Sequence, residues 1–140
     1  MNKMIEDLKK LKTVYHDTQE IVVGKELTVV LQLLTSVDET EVHAHAMTYS
    51  EGLAYLYSVK RETLCRAIVG LNGTSIPNFV DSLDEKGAPE KLERHLWLRK
   101  YIISGWNQML IDQIWTGYAE LISRVEGKML ESVKEEPKEK

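Results

Sequence analysis

The sequence lacks several features that mark common functional classes. It contains a single cysteine, Cys65, in 140 residues, so no disulfide can form within the chain, and this usage fits a reducing compartment. No apolar run reaches the length of a membrane-spanning helix. The formal net charge is −4, from 18 basic and 22 acidic residues. Because phosphate backbones are bound by clustered lysine and arginine, we expect no nucleic acid as partner. The lack of a membrane-spanning run leads us to expect no membrane as partner either.

Motifs for phosphate and metal binding are also missing. Gly70, Gly73 and Gly87 do not have the spacing of a nucleotide-binding loop. His43 lies four residues after Glu39, a spacing that suits a shared metal ion on a helix. Zinc sites need three or four ligands, and no further residue is spaced to complete this set. We therefore expect no metal and no cofactor.

Cys65 and His95 are candidates for a catalytic pair, with Cys65 as the nucleophile and His95 as the base. The local order Thr63-Leu64-Cys65-Arg66 does not resemble the strained turn that presents a catalytic nucleophile. A cysteine in the middle of a helix, beside apolar neighbours, is typical of a small buried core residue. We predict that the protein is not an enzyme, and an enzyme that uses Cys65 or His43 stays as an alternative.

The sequence is rich instead in amphipathic helical patterns, mainly in its second half. A helix is predicted over Leu53–Val69, ended by Gly70 and Asn72-Gly73, followed by a loop over Thr74–Gly87. Another helix begins at Ala88-Pro89-Glu90. The last helix, Gln108–Leu130, has the clearest spacing of three and four, carried by Ile111, Ile114, Trp115, Tyr118, Leu121, Ile122, Val125 and Met129.

The first half mixes helix with strand. Asn2–Lys12 has the stripe of a short helix, and β-branched runs on either side of Gly24-Lys25 predict a hairpin. One face of the second strand is wholly apolar and needs a cover, most simply a helix; it carries Leu27, Val29, Leu31 and Leu33. Ser36 and Glu39 form a capping box that starts a helix reaching Met47.

These elements predict a mainly α fold, a single helical domain with a small N-terminal β-hairpin. We divide the chain into an N-terminal helix and connector (residues 1–19), the hairpin with the helical domain (residues 20–130) and a disordered charged tail (residues 131–140). The first eleven residues hold no continuous apolar segment of a secretory signal, so we expect a protein made and used inside a cell.

The aromatic residues give the candidate binding sites. Trp115 and Tyr118 fall within the apolar stripe of the last helix and are predicted to be core. Trp97 and Trp106 lie off the main stripes. Each of these two either packs against the hairpin or is exposed as an anchor for a partner, since tryptophan is enriched at interface hot spots.

Three segments in order carry a family resemblance. A strand ending in Val30-Leu31, Leu34 and Thr35 precedes an acidic helix. A helix with Leu64, Arg66, Ala67 and Ile68 then ends at Leu71-Asn72-Gly73. The closing helix carries Trp106, Leu110, Ile111, Asp112, Ile114, Trp115, Tyr118, Glu120 and Leu121. This order, over about residues 20–129, resembles the small tail assembly chaperones of tailed bacteriophages, and similar patterns occur in phage baseplate proteins.

The resemblance implies a non-catalytic chaperone in the cytoplasm of the infected bacterial host. Such a protein binds the tape measure protein and promotes assembly of the tail tube protein, here with Trp97, Tyr101 and Trp106 as anchors. The first alternative is a structural component of a phage tail or baseplate, which would be found in the virion. The second is a cellular helical adaptor protein. Whether the chain forms a homo-oligomer stays open.

Overall fold

The structure of the protein, a computed structural model, describes residues 2–14, 17–48 and 52–135. The helices are α1 (Asn2–Val14), α2 (Ser36–Ala46), α3 (Gly52–Ala67), α4 (Arg94–Tyr101) and α5 (Gln108–Glu135), with a short 3-10 helix at Ile103–Gly105. The strands are β1 (Thr18–Val23), β2 (Leu27–Gln32), β3 (Ile68–Leu71), β4 (Thr74–Ser75), β5 (Phe79–Leu83) and β6 (Pro89–Glu93).

The larger sheet is antiparallel, with strand order β1-β2-β3-β4. β1 and β2 form the predicted hairpin, in which Ile21 lies opposite Val29. Its turn contains Gly24 at φ 62°, a left-handed conformation that glycine adopts without steric cost. The hairpin prediction is therefore confirmed.

α5 packs across β1 and β2 and covers their apolar face. Val29 and Leu31 are fully buried beneath it. Gly117 allows this close approach, because a Cβ atom at that position would lie 1.7 Å from Cδ1 of Ile21. The buried Tyr118 hydroxyl accepts a hydrogen bond from the Leu34 amide at 3.1 Å. The prediction that a helix covers this face is confirmed.

The predicted fold class is wrong, because the described residues form an α+β fold with two antiparallel sheets. The helix predicted to run to Val69 ends at Ala67, and the chain continues as β3, which pairs with β2. Asn72-Gly73 does not end a helix. It makes the turn from β3 to β4, with φ values of 49° and 80°, which suit a two-residue hairpin turn. The open edge of β2 offers β-branched Ile68-Val69 a sheet partner, and this pairing outweighs the helical pattern.

The second error concerns the predicted loop and the helix start after it. β5 and β6 form a separate two-stranded sheet, with Val80 opposite Leu92. Asp84 makes the turn between them, since its Oδ1 accepts from the amides of Lys86 at 2.8 Å and Ala88 at 2.9 Å. α4 therefore begins at Arg94 rather than at residues 88–90.

The remaining differences are small. α2 is capped by Thr35 instead of Ser36, because the Thr35 hydroxyl accepts from the Asp38 amide at 3.2 Å. α5 extends to Glu135, and residues 136–140 of the predicted tail lie outside the described residues. In the described ranges, no helix has the length and apolar character needed to cross a membrane.

Candidate functional site

A cleft of about 450 Å³ opens where α3, α4 and α5 meet. This size lies within the range of ligand-binding clefts in proteins. Its lining combines charged, aromatic and small apolar side chains, and includes Arg61, Glu62, Cys65, Arg99, Trp106 and Gln108. α3 supplies the first three of these, because residues 61, 62 and 65 fall within one turn of each other along the helix.

Glu62 is a buried carboxylate whose partner is Arg99. The Glu62 side chain is only 4% exposed. Arg99 Nε donates to its two carboxylate oxygens at 2.9 and 3.1 Å, and Arg99 Nη2 also pairs with Oε1. This hydrogen bonding raises the pKa of Arg99. His45 Nε2 lies 3.7 Å from the same carboxylate. Because a buried charge requires partners, Glu62 and Arg99 are occupied in joining α3 to α4.

Arg61 is differently placed. It lines the cleft and is half-buried, and it makes no hydrogen bond or ion pair with any residue in the described ranges. The formal charges of the lining are therefore two arginines against one glutamate, in a chain whose net charge is −4. The cleft is a locally positive site, and among the described residues the Arg61 guanidinium has no partner.

Cys65 contributes an apolar wall to the cleft. It is fully buried, as predicted, and burial together with the nearby Glu62 raises the pKa of its thiol to about 12. The thiol is therefore protonated at neutral pH, whereas a nucleophile requires the thiolate. His95 does not line this cleft. It lines a second, smaller pocket with Arg66 and Arg94, so the two residues of the hypothetical catalytic pair are not brought to one cavity.

The histidines of α2 have other partners. His43 Nδ1 lies 3.0 Å from the Tyr55 hydroxyl, and His45 lies beside Glu62 as described above. Over the described ranges, no three side chains of histidine, cysteine, aspartate or glutamate are grouped so that they suit a metal ion.

The structure separates the three predicted anchors into two places. Trp106 lines the cleft and packs partly against the core. Trp97 and Tyr101 lie together on α4, with ring centroids 6.5 Å apart. The Tyr101 hydroxyl is 3.0 Å from Ser82 Oγ, so it joins α4 to β5. Trp97 also packs partly against the core, and Tyr101 is 46% exposed.

Among the described residues, the predicted site residues do not include two of the exposed apolar surfaces. The first is the α1 stripe, Met4, Ile5 and Leu8, which are 57%, 44% and 58% exposed. Every described side chain of α1 is exposed to solvent. The second is the outer face of β5, where Phe79 and Leu83 are 59% and 58% exposed. The helical spacing of the α1 stripe was visible in the sequence, but the interruption by Asp81 hid the strand pattern of β5.

Comparisons of this chain with protein-family models, with curated proteins and with solved structures give no match.

Proposed function

We propose that the protein is a non-catalytic chaperone of phage tail assembly, which binds the tape measure protein and promotes assembly of the tail tube. The proposal joins the family resemblance of residues 20–129 to one structural observation, the solvent-exposed apolar stripe of α1. Helices of soluble domains normally bury such a stripe against another element. An apolar stripe that is exposed, as the described residues Met4, Ile5 and Leu8 are, is typical of a surface that binds another polypeptide.

The exposed surfaces suit an amphipathic helical partner. Met4, Ile5 and Leu8 lie on one face of α1, so a second helix can pack along them by ordinary helix-to-helix contacts. Phe79 and Leu83 provide a second apolar contact on β5. A chaperone must also release its partner, and tube subunits would displace it by competing for the same stripe of the tape measure protein.

A co-expression experiment tests this proposal. The genes next to this one are expected to encode a tail tube protein and a very long helical protein, and the long protein is co-expressed with this chain. We expect the wild-type chain to increase the soluble fraction of the long protein. A variant with Ile5→Gln and Leu8→Gln should lose this effect, because it removes the apolar stripe without changing the charge.

Its matched control carries Lys3→Gln and Glu6→Gln, which also leave the net charge unchanged but lie on the opposite face of α1. The control should retain the wild-type effect. Equal solubility of the long protein with and without the wild-type chain would overturn the proposal. Mass spectrometry of purified virions then decides against the structural alternative if the chain is absent, and in its favour if the chain is present in fixed copy number.

A further inference from the structure

We infer that the cleft between α3, α4 and α5 binds a carboxylate side chain of the partner polypeptide, an aspartate or glutamate that is flanked by apolar residues. This inference rests on the proposed function for the nature of the partner, and on the cleft itself for the chemistry. It gives the cleft a role that the exposed apolar surfaces do not supply, namely selection of one acidic position in the partner.

The charge of the cleft selects an anion. Arg99 is committed to the buried Glu62 by two hydrogen bonds from its Nε. Arg61 has no such partner in the part of the chain that the structure describes. A guanidinium in a partly enclosed site is suited to a planar carboxylate, which it can bind through two parallel hydrogen bonds.

The neighbouring carboxylate restricts the charge of that anion. Glu62 lines the same cleft as Arg61 and keeps its own charge buried. The two arginines and one glutamate of the lining leave one formal positive charge, which a single carboxylate neutralises, whereas a phosphate monoester, with nearly two negative charges at neutral pH, would leave an excess negative charge beside the buried Glu62. The lining therefore favours an aspartate or glutamate over a phosphorylated residue.

The apolar part of the lining indicates what surrounds the carboxylate. Trp106, Ile103 and Ile111 contribute aromatic and aliphatic surface to the cleft. A polypeptide with apolar residues beside its acid can contact this aromatic and aliphatic surface, whereas a small free carboxylate offers no apolar group to it.

The test is a titration of the full chain with a peptide. Binding is monitored by NMR through the 15N-1H signal of the Trp106 indole. The probe is an acetylated and amidated peptide, Leu-Leu-Glu-Leu-Leu, and its matched partner has glutamine in place of glutamate. The Trp106 signal is assigned with Trp106→Phe, and the indole signals of Trp97 and Trp115 serve as internal references. We expect a saturable shift of Trp106 with the glutamate peptide, and binding about tenfold weaker with the glutamine peptide.

Arg61→Gln should abolish this preference, so that the two peptides bind equally weakly. Lys91→Gln removes one positive charge from an exposed position on β6 and should leave the preference intact. Equal binding of the two peptides to the wild-type chain would overturn the inference, and so would an unchanged preference in Arg61→Gln. Sodium acetate is titrated in parallel. An equal shift at equal concentration would assign the cleft to a small carboxylate and overturn its assignment to a polypeptide.

The peptide titration and the co-expression experiment test the two proposals independently, so that either proposal can be contradicted while the other stands. If the peptides are not distinguished while the chain still solubilises the long protein, the cleft assignment is wrong and the proposed function stands. If the glutamate peptide binds through Arg61 while the long protein gains no solubility, the cleft does bind an acidic segment, and the tape measure protein is the wrong partner.

Discussion

The two hairpins of this protein are held together by different forces. β2 of the first hairpin buries Val29 and Leu31 completely under α5. The second hairpin, β5 with β6, has only exposed and half-buried residues in alternation. Its geometry depends on the Asp84 turn and on the contact of Tyr101 with Ser82. The first hairpin is thus stabilised by burial, and the second by turn hydrogen bonds and by its attachment to α4.

This difference determines where the protein is least stable. Local opening is governed by how much apolar surface a segment buries, and segments with few buried contacts open most easily. The second hairpin also carries the exposed Phe79 and Leu83, one of the two surfaces that we propose for partner binding. If this proposal holds, the surface that contacts the partner lies in the segment that opens most easily.

Leu31→Ala and Val80→Ala compare the two hairpins directly. Leu31 is fully buried, so its truncation should lower the free energy of unfolding by about 2–5 kcal/mol. Val80 is half-buried on β5, and its truncation should cost about 1 kcal/mol. Urea unfolding followed by circular dichroism measures both. An equal loss in the two variants would show that the second hairpin is as firmly packed as the first.

Alanine substitutions at two glycines of α5 distinguish the effect of packing on stability from the effect of helix propensity. Gly117→Ala places a methyl group against Ile21, which must leave its rotamer, and should destabilise the protein by about 1–3 kcal/mol. Gly127→Ala meets no atom within 4 Å and should stabilise it by up to about 1 kcal/mol through better helix propensity. Thermal unfolding of the two variants should give shifts of opposite sign. Shifts of the same sign would mean that α5 does not approach β1 this closely.

Asp84→Ala tests whether turn chemistry maintains the second hairpin. The variant loses the side-chain acceptor for the amides of Lys86 and Ala88, worth about 1 kcal/mol in total. Amide hydrogen exchange should become faster in β5 and β6 and stay unchanged in β2 and β3. Asp84→Asn keeps an oxygen acceptor at this position and is the control, expected to exchange like the wild type. Faster exchange throughout the protein would contradict local stabilisation.

His95 gives the smallest effect, through pH. Burial, and next the positive charge of Arg66, lower the pKa of His95 below its ordinary value of 6.5. The unfolded chain therefore binds a proton more readily than the folded one as pH falls below 6.5. This contribution to stability is present above pH 6.5 and is lost as pH falls through the folded-state pKa. His95→Asn should lose less stability over this interval. An NMR titration midpoint for His95 at or above 6.5 would refute the prediction.

The part of the fold that could be predicted is the part encoded by local pattern. The first hairpin, the helix over it and the burial of Cys65 and Tyr118 follow from β-branched runs and helical spacing. β6 could not be found in this way, because its sequence Pro-Glu-Lys-Leu-Glu has little strand propensity and pairs only through contacts with β5 and α4. β3 was mistaken for helix since its partner, β2, lies far away in sequence.

The cleft shows the same limit for a functional site. Trp106 was selected from sequence because it lies off the helical stripes, and it does line the cleft. Arg61 and Arg99 stand in no sequence pattern that distinguishes one from the other. No local pattern predicts that Glu62 is buried and pairs with Arg99, while Arg61 has no partner within the part of the chain that the structure describes. The difference between Arg99 and Arg61 depends on the packing of α3 against α4. Residue spacing along the chain does not predict this packing.

The docking of α5 on β1 has a consequence for synthesis of the protein. Arg124 of α5 donates a hydrogen bond to the Thr18 carbonyl, 106 residues earlier in the chain. A ribosome adds about 5–20 residues per second, so roughly 5–20 s separate the emergence of these two contacts. Throughout that interval α5 is not yet available to cover Val29 and Leu31 of the nascent hairpin. Because exposed apolar surface promotes aggregation, we expect the nascent chain to be most prone to aggregate before α5 leaves the exit tunnel.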